Sequence, residues 1–190
     1  MKSFLKFLLI CLCCLGSSHS FAQKKRDRAR NNIVMLKDGA LLVRLKTSEL
    51  QIEGLKKMGK TEEAEKLKAE QEARNNSIIA AFKKEFTFCK VYFFYSNSSA
   101  DITAGNCKGK IFDADMNLFM NFPCDKFLVG EFDKSETNSM DAFIIKDKNY
   151  DQLKAPFPYL VRLNQAFVST RSDEQIVKVL NERLFEFYSK

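Results

Sequence analysis

The segment Gly54-Leu-Lys-Lys-Met-Gly59-Lys60-Thr61 matches the phosphate-loop pattern GxxxxGK[ST] letter for letter. That motif works by curling backbone amides around phosphates, directly after a buried strand and directly before a helix. Here residues of helical character, Ser48–Leu55, stand between the lysine and the preceding apolar run, which ends at Leu45. No apolar strand ending in Asp offers a magnesium partner. The spacing predicts a helix, a break at Gly59 and a new helix capped by Thr61, not a nucleotide site. Ala104 to Lys110 (AGNCKGK) is followed by Ile111 where the same motif needs a hydroxyl, and it fails.

Two acidic runs, Asp113-Ala-Asp115-Met-Asn117 and Asp147-Lys-Asn149-Tyr-Asp151, begin like calcium loops. Their sixth positions hold Leu118 and Gln152 instead of glycine, and their twelfth hold Cys124 and Pro158 instead of glutamate. Turn chemistry explains both clusters better than a calcium site. No metal or other cofactor is expected.

The chain has a single histidine, His19, and no tryptophan. His19 lies in a leader expected to be removed, so the mature protein has neither the usual neutral-pH base nor the commonest metal ligand. Ser-His-Asp and Cys-His pairs are thereby excluded. Catalysis would have to run on carboxylates, lysine or tyrosine; the carboxylate route, as in glycoside hydrolysis, needs two acids facing each other across a cleft. The loop-placed candidates are Asp101, Glu131, Asp133, Glu136 and Asp141, though no residue is assigned a catalytic role. Of the cysteines beyond the leader, Cys89 sits in an apolar strand as a buried thiol. Cys107 and Cys124 fall in or near loops and would either pair or stay free. A disulfide there would stabilise by about 3 kcal/mol through loop closure. No CxxC lies beyond the leader, so the mature chain offers neither a thioredoxin-type dithiol nor a zinc knuckle.

The elements that must position these residues begin after an expected basic, disordered tail over 23–31. Ile33–Leu36 and Ala40–Leu45 flank Lys37-Asp38-Gly39, which predicts a β-hairpin with a tight Asp-Gly turn. The stretch 48–82 is rich in Glu, Lys, Ala and Leu and reads as a helical hairpin or as one bent helix. Phe86–Tyr95 (FTFCKVYFFY) is apolar on both faces, the pattern of a central strand. Ser96–Lys110 reads as a loop. Short strands are expected at Lys110–Asp113, Lys126–Phe132, Asp141–Lys146 and Tyr159–Leu163. A last helix over 173–188 is capped by Ser172 with Gln175 and carries Ile176, Val179, Leu180, Leu184 and Phe187 on one face. The expected fold is one α+β domain over 32–190, a mixed and mostly antiparallel sheet with helices packed on it.

Residues 1–22 carry a signal-peptide pattern: Lys2 and Lys6, a short apolar run Phe7–Leu15, and a small-residue exit with cleavage between Ala22 and Gln23. The run is too short to span a bilayer, so no transmembrane segment is expected after cleavage. Localisation is expected to be periplasmic or secreted, a compartment in which a disulfide persists. The Ser20-Phe-Ala-Gln23 exit, the segment 36–67 and Phe88–Ser96 resemble exported proteins of Bacteroidota-type bacteria. That family has no assigned activity, so the resemblance implies a Gram-negative envelope and no function.

The basic excess sits largely in the tail, which argues against nucleic acid as a partner. The chain's 18 phenylalanines and five tyrosines can fill a core, and any left exposed would form a contact patch. The expected function is a non-catalytic binding or structural envelope protein with a protein, peptide or envelope surface as partner. The alternative is a carboxylate-based hydrolase. Oligomeric state is not readable from the sequence.

Overall fold

The computed structural model describes residues 23–136, 139–165 and 169–190; the expected leader and its Ala22 junction lie outside them. The described chain opens in a helix, α1, that runs through residue 38. This corrects two expectations, the disordered tail and the hairpin. Ala29, Ile33 and Leu36 are buried in the main core, and their spacing is that of one helical stripe. Lys37 adds an anchor by donating to the Phe88 carbonyl at 2.6 Å. Asp38-Gly39 is no hairpin turn but the junction from α1 into the first strand, where the Gly39 amide bonds the Met35 carbonyl at 3.0 Å.

The fold continues as β1 (Ala40–Leu45), α2 (Glu49–Lys57), α3 (Thr61–Glu85) and β2 (Lys90–Tyr95). Next come a 3₁₀ turn (Ser96–Ser98), α4 (Ser99–Thr103), β3 (Phe127–Lys134), β4 (Asp141–Lys146) and β5 (Leu160–Arg162). A short ribbon, β6 (Asn164–Gln165) with β7 (Ser169–Thr170), precedes α5 (Asp173–Tyr188). The sheet order is β2-β1-β3-β4-β5. β1 pairs in parallel with β2 and with β3, while β3–β4 and β4–β5 are antiparallel. The α+β class and the mixed sheet stand as expected.

The helical segment is two helices. Gly59, at φ +74°, turns the chain between them, a conformation glycine adopts without steric penalty. The cap of α3 is Lys60 rather than Thr61, with no side-chain bond, and Lys60 pairs with Glu63. Gly54 lies inside α2 with open space around it, so the phosphate-loop letters spell a helix, a turn and a helix. α5 has the expected bounds, and its capping box of Ser172 and Gln175 is complete.

Phe86–Tyr95 is not a central strand. Only Lys90–Tyr95 pairs as a strand, and it lies at the sheet edge, its outer side bridged at Phe93 by Phe112. That bridge replaces the strand expected at Lys110–Asp113. The aromatic residues on both faces of β2 are explained by cover on both faces. On one side Phe93 packs with Leu41, Val43 and Leu45 of β1, Phe82 of α3 and Leu180 of α5. On the other, Phe94 packs with Leu42, Val129, Ile102 of α4, Cys107 and Ile111. Burial pushes the Cys89 thiol, just before β2, up to about 12, which leaves little thiolate at neutral pH.

Candidate functional site

The connection from β2 to β3 carries the most unusual surface. It crosses the sheet face opposite α3, and Cys107 and Cys124 are disulfide-bonded with their Cα atoms 5.9 Å apart. The bond closes the loop that presents Leu118, Phe119 and Met120, which are 47%, 36% and 46% exposed. Three consecutive large apolar residues at that exposure are unlike the scattered exposed apolar residues of an ordinary surface.

The ridge is held from both sides. The Phe119 amide bonds the Ile111 carbonyl at 2.8 Å, and its ring stacks on Tyr92 with centroids 5.1 Å apart. Phe122 meets the edge of Tyr92 at 5.2 Å and reaches Phe127 in the smaller core at 6.1 Å. Before the ridge, the Asp113 carboxylate accepts bonds from the amides of Asp115 and Asn117. Those amides, that of Asn117 foremost, hold the Asp113 carboxyl below the usual carboxylate range. Asp147 closes the same kind of turn on Asn149 and Asp151. Beside the ridge is a hollow of about 280 Å³ floored by Tyr92, Phe119, Phe122 and Pro123. Two lysines, Lys90 and Lys126, and two aspartates, Asp38 and Asp125, stand at its rim.

Opening the disulfide, by Cys107→Ser with Cys124→Ser, is expected to cost about 3 kcal/mol of stability, since a closed loop of this length restricts the unfolded chain. The melting temperature should fall by about 6–12 °C. Calorimetry with and without reductant measures this directly, and equal melting temperatures would refute it.

Of the five acids considered for carboxylate chemistry, the structure brings together only Glu131 and Asp133. Glu131 is buried on β3, with Arg44 on one oxygen at 2.6 Å and Lys146 on the other at 2.7 Å. Asp133 lies 3.6 Å from Lys46 and 4.0 Å from Lys146. The two carboxylates therefore share a cation instead of facing each other over open space, which is the geometry of an ion-pair network. Asp101, on α4, pairs with Lys110, the Glu136 backbone amide donates to the Gln152 side chain, and Asp141 is exposed at the start of β4.

Sequence reasoning missed this network because its members come from β1, β3 and β4, and no local spacing links them. It also missed the place of the ridge, whose apolar letters (LFM) read equally as core. Among the described residues no group of three or more acids, cysteines or histidines is placed to hold a metal ion, and no helix is long and apolar enough to cross a membrane. Set against protein-family models, curated proteins and solved structures, the chain matches none.

Proposed function

We propose that this chain is an exported envelope protein without catalytic activity that docks a partner protein on the Leu118–Met120 ridge. The observation that carries the reading is an apolar ridge kept at the surface by a disulfide. Exposing it costs solvation, and stapling it removes the freedom that would let it fold back onto the core. Its composition of Leu, Phe and Met beside Tyr92 is that of an interface centre, where aromatic residues and Met are enriched. The rim of two lysines and two aspartates suits a partner of mixed charge better than a uniformly anionic lipid surface. Export is supported by the leader pattern at 1–22 and by a disulfide that an oxidising compartment would preserve.

Photo-crosslinking in the native cells tests both parts. With a photoreactive side chain at Leu118, one discrete adduct is expected in the envelope fraction, with the chain's own mass starting at Gln23. Phe119→Ser with Met120→Ser should abolish the adduct, and the same probe at exposed Glu70 on α3 should give none. No adduct from Leu118, or the same adducts from both positions, overturns the docking reading; a mass starting at Met1 overturns export.

A further inference from the structure

We propose that the crevice between the carboxyl ends of β1 and β2 binds a small solute bearing an oxyanion, a carboxylate or a phosphate ester, with Arg44 as its charged contact. This site is independent of the ridge, which lies at the opposite ends of the same strands.

The topology makes the crevice. The chain leaving β1 goes to the face covered by α3, whereas the chain leaving β2 goes to the face covered by α4. Where adjacent parallel strands send their connections to opposite faces, the two loops part and leave an opening outside the carboxyl ends, the usual ligand position in open α/β sheets. Here the opening lies between Thr47–Gln51 and Ser96–Asn97 and measures about 380 Å³, within the range of small-molecule sites.

Its polar groups are already oriented. Arg44 lines the crevice with about a quarter of its side chain exposed. Its Nη1 donates to Glu131 and its Nε donates to Ser99 at 2.9 Å, while the guanidinium lies 5.8 Å from the Tyr150 ring centroid. A guanidinium has five donors in a rigid fork, so these bonds fix its plane and leave donors for an oxyanion. The network of Arg44, Lys46 and Lys146 with Glu131 and Asp133 carries one positive charge in excess, and Glu49 in the crevice wall, turned to the Asn97 amide at 2.9 Å, offsets it. Recognition of an anion therefore rests on the remaining donors of Arg44, not on net charge. Thr47 and Ser96 close the inner end of the opening, the Ser96 hydroxyl accepting the Thr47 amide at 3.1 Å and bonding the Thr47 hydroxyl at 3.1 Å. Nearby, the Tyr150 hydroxyl is buried beside Ser99.

The test is an NMR titration of the full chain with inorganic phosphate and, separately, with succinate, at constant ionic strength. Saturable shifts confined to the amides of Thr47–Gln51 and Ser96–Asn97 are expected with at least one probe, and the probe that binds tells phosphate from carboxylate. Gln51→Glu places a negative charge at the crevice in the first turn of α2, where an acid suits the helix. It should weaken binding at least tenfold with the melting temperature unchanged, and Arg44→Lys should weaken it as well. No saturable shift with either probe, or binding indifferent to Gln51→Glu, overturns the proposal.

Discussion

Glu131→Ala is expected to destabilise the fold by about 3–5 kcal/mol, because it leaves two cations facing each other without their shared counter-ion. Arg44 and Lys146 hold the two oxygens of a carboxylate that is only 3% exposed, and Lys146 is itself only 12% exposed. Taking such charges out of water is unfavourable, and the carboxylate is what offsets it. A fall in melting temperature of about 6–20 °C should accompany the loss. A triple variant separates charge from shape. Glu131→Leu with Arg44→Met and Lys146→Met removes every uncompensated ion and should recover most of the stability. If denaturant unfolding shows the triple variant as weak as Glu131→Ala, the loss comes from packing and the electrostatic account is wrong.

Gly39→Ala should cost about 3 kcal/mol, the top of the range for forcing extra atoms into a packed site. A Cβ at Gly39 would lie 2.1 Å from the Lys126 carbonyl oxygen and 2.9 Å from that of Met35. Both neighbours are backbone and cannot swing aside as a side chain can. The Lys126 oxygen also accepts the Ala40 amide, the first bond between the β1 and β3 segments, so the methyl group must pry apart the start of that pairing. Gly59→Ala is the control. Gly59 has a positive φ but nothing within 4 Å, so alanine there meets only the left-handed backbone cost of about 1–2 kcal/mol. Equal losses at the two positions in chemical denaturation would mean that the approach of Lys126 does not constrain Gly39.

Gly39 also shows how the sequence misleads. Asp-Gly between apolar runs is a strong hairpin signal when the runs are strands. Ile33–Leu36 is a contiguous apolar run, and a short one fits strand and helix alike. The signal that decides for helix is the wider spacing of Ala29, Ile33 and Leu36, masked by the polar Arg30-Asn31-Asn32 between the first two. The glycine is needed in either case, but in the fold it serves the close passage of another backbone, not a positive φ.

Much of the architecture follows from the sequence alone because it rests on local patterns. The capping box and apolar stripe set α5, the Glu/Lys/Ala/Leu composition sets α2 and α3, and the short apolar run Ala142–Ile145 sets β4. The α+β class follows from their succession. Cys107 and Cys124 were recognisable as possible partners, and the fold brings them within bonding distance. What the sequence leaves open is every relation between distant segments. β1 became an interior strand, parallel to both neighbours, with α1 and α3 covering one of its faces and α4 with the disulfide loop covering the other. Arg44 met Glu131 across 87 residues of sequence through the β1–β3 pairing. Leu118–Met120 ended at the surface because both cores were already filled by Phe82, Phe93, Phe94 and Phe143. Periodicity reports which side of an element is apolar; only packing decides which element covers it and which apolar residues are left for solvent.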